Sequence, residues 1–415
     1  MLITSMVDAS ELYSFVEMTK NNMTIPRFNL MLMQQMLQYT NPYNDNHLYS
    51  SLKANLDLTE RLTRTYRKPK FGITHCVING VEQKVMKKTL RKGEFCHLQH
   101  FTKPYYKKEL PKLLIVAPMS GHHATLLRGT IQDTLPYFDV YVTDWIDASQ
   151  VPITSGSFDL DSFIDYTINY IKFLGENIHV MAVCQPTVPV LAAAAIMSEN
   201  NDPCTPKSII LIGGPIDARK NPTKPGDFAN DKSLTWFDQT LITNVPVNYP
   251  GYRRRVYPGF LQLIGFVVMN LKNHVDSHVE LFKNLILGDD ALVIKHKKFY
   301  DEYFAVMDLP AEFYLQTIKE VFHDFSMAKG KFMSRGRKVN LNSITKCALM
   351  GIEGEKDDIA AVGQTKAALD LCKNIPSHMK NYYLQEGVGH YGSFTGSKFR
   401  NLIVPRIKEF VYENN

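Results

Sequence analysis

Four short runs, KLLIVAP (112–118), FDVYVTDW (138–145), IHVMAVC (178–184) and SIILIGG (208–214), are β-branched or apolar and of strand length. A strand with one wet face alternates polar and apolar residues, whereas near-continuous apolar runs belong to strands covered on both faces. The segments between them, such as 122–136 and 187–199, can form helices. Strand, helix and strand in succession build parallel βαβ units, so the expected fold class is α/β, a mostly parallel sheet with helices on both faces. CALMGIEGE (347–355) and MKNYYLQEG (379–387) add two further strands. Ahead of the sheet, FGITHCVI and VEQKVMKKTL flank Asn79-Gly80, a two-residue hairpin turn.

Residues 1–65 carry apolar residues at helical spacing and read as an N-terminal helical segment given to packing. About 130 residues separate the strand ending near Gly214 from the one beginning near Cys347, far more than a crossover helix requires. An inserted cap over 219–345 accounts for them and leaves a core in two parts, 66–218 and 346–415. The cap is rich in aromatics, among them Trp236, Phe237, Tyr252, Tyr257, Phe260 and Phe266. Such stripes form either the cap's own core or an apolar groove over a site.

With 415 residues, 45% hydrophobic and 21% charged, the chain can bury a large core. Its net charge of +6 is small for that length, and the basic clusters at Arg253–Arg255 and Lys295–Lys298 are short. They read as solvated surface and argue against nucleic acid as a partner, although YPGYRRRVYPGF keeps a nucleic-acid or anionic-surface reading open. Six cysteines without a CxxC pair or metal-ligand spacing suit reduced thiols in a cytoplasm. The start, MLITSMVDASELYSF, has Asp8 and Glu11 where a signal peptide needs an apolar core. The longest apolar runs, VPVLAAAAIM and FLQLIGFVVMNL, fall short of the roughly 20 residues of a membrane span. The expectation is a cytoplasmic protein with no membrane span.

Cys184 ends one strand-like run and precedes a helix opening at Gln185-Pro186, where proline's fixed φ and missing N–H cost little. Strand, sharp turn and helix is the layout of a nucleophile elbow. Ala182 is suitably small, but Pro186 stands where such turns commonly carry glycine. The plain alternative is a small hydrophobe at a strand end. In sheets of this kind an acid and then a histidine follow the nucleophile in chain order, on loops after later strands. Asp357, beside Asp358, fills the first place and His390 the second. Asp357 also suits a helix N-cap and His390 an ordinary turn. An oxyanion needs two converging backbone donors: the N–H of Gln185 and one from APMSGHHATLLRGT, where Ser120 and Gly121 allow close approach. His122 or His123 could add a side-chain contact, while Asp144 and Trp145 read as core.

APMSGHHATLLRGT, VYVTDWIDA, VCQPTVPVLAA, GGPIDARKNPT, YPGFLQL, FYDEYFAVMDLPAEFYLQTI, EGEKDDIAAVGQT and GVGHYGSFTGS together resemble the intracellular polyhydroxyalkanoate (polyhydroxybutyrate) depolymerases of bacteria. The likeness runs from about residue 70 to the C-terminus and implies an α/β-hydrolase fold with an inserted cap. It further implies a cysteine nucleophile at Cys184, an acid at Asp357, a base at His390 and an active-site position at His122. Ala218 departs from the family pattern, away from these residues. The implied activity is hydrolysis of stored polyester, granule or oligomer, in the cytoplasm through an acyl-cysteine, with no cofactor or metal. A thioester is also open to thiol attack, which admits coenzyme A as acyl acceptor. The competing readings are a polyester synthase, a small-ester esterase or thioesterase, and a granule-coat protein without activity.

Overall fold

A computed structural model describes residues 9–40 and 47–415. The reading of residues 1–8 as free of an export signal lies outside them. The main sheet has eight strands: β1 Met86–Lys92, β2 Cys96–Thr102, β3 Lys112–Val116, β4 Asp139–Trp145, β5 Ile178–Val183, β6 Ser208–Ile212, β7 Ala348–Gly354 and β8 Lys380–Gln385. Their order across the sheet is β1-β2-β4-β3-β5-β6-β7-β8. β3 to β8 are parallel, and β2 runs antiparallel to both β1 and β4. Every residue of β5, β6 and β7 is buried, as in strands covered on both faces, the polar His179, Ser208 and Glu353 included.

The alanine-rich stretch after Cys184 is the helix Thr187–Glu199, whose residues Thr187 to Ala195 are all buried. A helix apolar all round is an enclosed one, and the four consecutive alanines, Ala192 to Ala195, let it lie close to the sheet and to the helix Leu160–Leu174. The latter starts on Asp159, which accepts the Ser162 N–H, and stops at Gly175.

Chain order reverses around β3: the chain passes from β3 to β4 on one side, then to β5 on the other. In open α/β sheets the crevice at the carboxyl ends of such neighbouring strands is where ligands bind. The loop after β3 and the turn after β5 meet there.

Between β6 and β7 the chain builds the inserted region. It holds the helices Lys224–Asp231, Leu234–Leu241, Gly259–Met269, Leu271–Leu287, Asp290–Tyr303 and Ala311–Thr317, with a small sheet of Thr243–Asn244, Arg255–Tyr257 and Leu309–Pro310. Its aromatics divide between core and surface. Phe237 and Tyr300 are core, while Phe228, Tyr252 and Phe299 are exposed. Arg254, in the basic tract, is buried and donates to the carbonyls of Val151, Gly156 and Pro152, so it is a structural cation.

The helices Ala9–Asn22, Thr24–Thr40 and His47–Thr63 reach the same region through polar contacts. Tyr13 donates to Asp308 at 2.5 Å, Tyr249 to Glu17 at 2.6 Å, and Arg61 to Asp301 at 2.8 Å. Among the described residues no helix is long and apolar enough to cross a membrane.

Candidate active site

Cys184 directly follows β5 and has φ +67°. Left-handed backbone is costly for a residue with a Cβ, so the turn must be held from outside. The Cys184 N–H donates to the Ile212 carbonyl at 2.7 Å, which ties the turn to β6. Its carbonyl accepts the Thr187 N–H at 3.1 Å and the Thr187 hydroxyl at 2.9 Å, which ties it to the following helix. The side chain is half-buried at the rim of the core.

The loop after β7 carries Asp357, and the helix it was expected to cap does not follow it: residues 358–366 form no helix, and the next one is Ala367–Leu371. Its Oδ1 instead holds the loop, accepting the N–H groups of Ile359 at 2.9 Å and Ala360 at 2.8 Å. Its Oδ2 lies 2.8 Å from His390 Nδ1. Asp358 makes no such contact; it lies instead near Tyr303 and Tyr391, whose phenol pKa values it helps to raise. His390 follows β8 and is buried. Burial opposes a charge on its ring, yet the adjoining Cys184 and Asp357 outweigh that and hold its pKa well above the ordinary imidazole range. Cys184, His390 and Asp357, far apart in sequence, are thus brought together. A Cβ on Gly213 would lie 3.3 Å from Asp357 Oδ2 and 3.4 Å from His390 Cε1, so the pair packs directly on the end of β6.

The β3–β5 register sets Val116 opposite Ala182, and three residues further on Met119 stands beside Gln185. The Met119 N–H donates to Gln185 Oε1 at 3.3 Å. The Gln185 N–H has no acceptor among the described residues. These two donors flank the turn. Two bonds to β4 hold the loop: the Ala117 N–H donates to Thr143 Oγ1 at 2.9 Å, and its carbonyl accepts Trp145 Nε1 at 2.8 Å. Trp145 is core, and Asp144 points away to Lys68 at 2.5 Å and Gln99 at 3.1 Å.

Ser120 makes no hydrogen bond among the described residues. The carbonyl of Gly121 accepts the Met307 N–H at 2.8 Å, and a Cβ there would meet Gln262 Oε1 at 2.6 Å. The sequence pointed to these two as loop donors, and neither backbone N–H has an acceptor among the described residues, while the neighbouring Met119 N–H is taken by the Gln185 side chain. His122 is buried against the inserted region, stacked on Phe266 at 5.1 Å, with Nε2 3.1 Å from the Tyr303 carbonyl. That bond requires the proton on Nε2. Burial lowers its pKa to about 4, so the ring is neutral at pH 7. His122 fastens the cap to the loop.

Sequence reasoning also passed over Glu353. It is fully buried, and its carboxylate accepts from the N–H groups of Gly363, Thr365 and Lys366 and from Tyr382 Oη, at 2.7–2.9 Å. It fixes the far end of the loop that carries Asp357. The only sequence signal is an acid inside a strand that is otherwise apolar. Among the described residues no group of three or more His, Cys, Asp or Glu side chains could hold a metal ion.

Residues 213–415 match a family model described as PHB de-polymerase C-terminus, a segment containing Asp357 and His390 but not Cys184. Among curated proteins, the chain is similar to a poly(3-hydroxyalkanoate) polymerase subunit PhaC from Synechocystis sp., 22% identical over 66% of this chain and 69% of that one. It is also similar to a subunit of the same name from Haloferax mediterranei, 21% identical over 77% of this chain; the match spans 61% of that relative's length. Solved structures with a similar course include a monoglyceride lipase of Saccharomyces cerevisiae, 14% identical, TM-score 0.45, covering 85% of this chain and 99% of that one. An esterase from Thermogutta terrifontis is 12% identical, with TM-score 0.41, covering 80% and 99%. The strand order and the turn after β5 are those of an α/β-hydrolase. Within that fold, residues 213–415 are similar to the family whose model they match, described as PHB de-polymerase C-terminus.

Proposed function

We propose that this protein is a carboxylic ester hydrolase of the poly(3-hydroxybutyrate) depolymerase type, working through Cys184, His390 and Asp357 on stored poly(3-hydroxyalkanoate) in the cytoplasm. The observation that carries the reading is the His390 Nδ1 to Asp357 Oδ2 bond of 2.8 Å, on a ring whose other polar neighbour is Cys184. A base oriented by a carboxylate beside a thiol at a strained turn is the arrangement nucleophilic catalysis requires. His390 takes the thiol proton, and the thiolate attacks the ester carbonyl carbon. The resulting oxyanion accepts from the N–H groups of Gln185 and Met119. The C–O bond breaks as His390 returns the proton to the leaving alkoxide, which leaves an acyl-cysteine. Water then gives a proton to His390 and attacks the thioester. The C–S bond breaks, the thiolate is reprotonated and the 3-hydroxy acid or oligomer departs. The granule or a released oligomer is the partner in this reading, with coenzyme A as an alternative acyl acceptor.

A second reading is polymerisation, favoured by the names of the two curated relatives. The acyl-cysteine is common to both, and the acceptor separates them. Purified protein is mixed with native amorphous granules, and in parallel with 3-hydroxybutyryl-coenzyme A. Release of 3-hydroxy acids from granules, lost in Cys184→Ala, is the expected result. Polymer made from the thioester, with no acid from granules, would replace this reading with the second.

A further inference from the structure

The carboxamide of Gln185, the residue after Cys184, reaches across to the loop after β3. Its Oε1 accepts the Met119 N–H at 3.3 Å, so one of the two backbone donors flanking the turn is taken by a side chain before any ester arrives. Its Nε2 is buried and meets no acceptor among the described residues. Buried donors are nearly always paired, and an unpaired one carries a desolvation cost with nothing to offset it. A group that caps one donor with a long bond and leaves its own donor idle is suited to a second arrangement.

We infer that the Gln185 side chain is a substrate-displaced plug that selects oligomeric over simple esters. The scissile carbonyl takes over the Met119 N–H, and the displaced carboxamide donates Nε2–H to a carbonyl of the neighbouring repeat. This rests on the hydrolase reading above and adds the residue by which a polyester is told from a monoester. A monoester must displace Oε1 and offers Nε2 nothing in return. An oligo(3-hydroxyalkanoate) carries a carbonyl in every repeat, so the lost bond is replaced. The backbone N–H of Gln185 serves the oxyanion in both cases, and side-chain substitution leaves it in place.

The test compares kcat/KM of the full chain for p-nitrophenyl butyrate and for a linear 3-hydroxybutyrate trimer, in the wild type, Gln185→Ala and Gln185→Met. One net hydrogen bond corresponds to about fivefold. Gln185→Ala is expected to raise kcat/KM on the monoester about fivefold and to lower it on the trimer by a similar factor. Gln185→Met, which keeps the volume and removes the amide, is expected to do the same and so to separate hydrogen bonding from space filling. A loss of folding or of general activity would move both substrates downward together. Changes of the same sign on both substrates, or an unchanged ratio between them, would overturn the inference. If the wild type turns over neither substrate faster than Cys184→Ala, the hydrolase reading itself falls and the plug with it.

Discussion

Replacing Cys184 by glycine and by alanine tests the geometry of the turn independently of any activity. Both variants lack the sulfur, so its contacts with the core rim and with His390 drop out of the comparison, and the two differ only by a Cβ. At an ordinary position alanine is the more stable of the two by about 0.5–1 kcal/mol, because glycine has more chain entropy to lose. Position 184 is not ordinary: φ is +67°, where a Cβ crowds the backbone at a cost of about 1–2 kcal/mol. Subtracting the entropy term leaves glycine ahead by roughly 0–1.5 kcal/mol, centred on about 0.75, in place of the usual lead for alanine. Urea unfolding of the two purified variants, compared at equal slope, reads that difference as a shift in midpoint. Alanine ahead of glycine by the ordinary margin of about 0.5–1 kcal/mol would mean that the backbone here is not left-handed, and the elbow would go with it. Under the proposed function both variants lose ester turnover, since neither carries the Cys184 sulfur.

The two neighbouring acids should separate cleanly. Asp357→Asn is expected to lower kcat by about 10³–10⁴-fold, since an amide can neither fix the His390 tautomer nor balance its charge, while Asp358→Asn stays within severalfold; equal losses would break the assignment. Glu353→Gln sets an NH₂ group against backbone donors and should cost about 3 kcal/mol in urea unfolding, with a loss under 1 kcal/mol refuting the account. Asp308 is buried beside Asp147, and burial first, then the neighbouring carboxyl, push its pKa up to about 7. The unfolded chain releases this proton near pH 4 and the folded chain only near pH 7, so stability falls as pH rises between those values and levels off above, by on the order of 4 kcal/mol. Asp308→Asn should flatten that slope, as measured by unfolding at pH 5 and pH 8, and an unchanged slope would remove Asp308 as its source.

The parts of the fold legible in the sequence are those set by local pattern. Mostly apolar runs became β3 to β7 within a residue or two, because strands buried on both faces are predominantly apolar. The Asn79-Gly80 turn has both φ values positive, as its residues require. β2 was not legible, because CHLQHFT sets polar residues inside: Gln99 is buried only because Asp144, Lys87 and Thr89 satisfy its amide from other strands. VEQKVMKKTL read as one strand and is two, parted at Val85, whose N–H turns to the Thr74 carbonyl at 2.7 Å. The second of these is the lysine-rich outer strand β1; such charges keep an edge from pairing with another chain and leave no apolar signal to read. Residue order singled out Cys184, Asp357 and His390 as candidates, and the structure sets the three side by side. Which of Asp357 and Asp358 adjoins His390 needed coordinates, since both lie on one loop and only Asp357 has an oxygen at its ring. The contacts of Gln262 and Phe266 with the loop after β3 come from a helix over a hundred residues away, a distance at which no local pattern speaks.

Pro186 in the place of the usual glycine has a structural explanation in β6. A nucleophile elbow needs small residues because helix and neighbouring strand crowd against the turn. Here the crowding falls on Gly213 and Gly214, at the end of β6. A Cβ on Gly214 would lie 1.8 Å from Thr187 Oγ1, and Gly213, at φ +56°, backs onto Asp357 and His390. The space that flanking glycines would provide at the turn is supplied by the strand beside it, so Pro186 can stay and prearrange the helix start with φ −62°. Gly214→Ala should therefore damage the site as severely as a change at the turn itself, through Thr187 and its two bonds to the Cys184 carbonyl. Pairing it with Thr187→Gly removes every side-chain atom the new Cβ would strike, and recovery of stability in the double variant beyond that of either single change is the outcome this account requires.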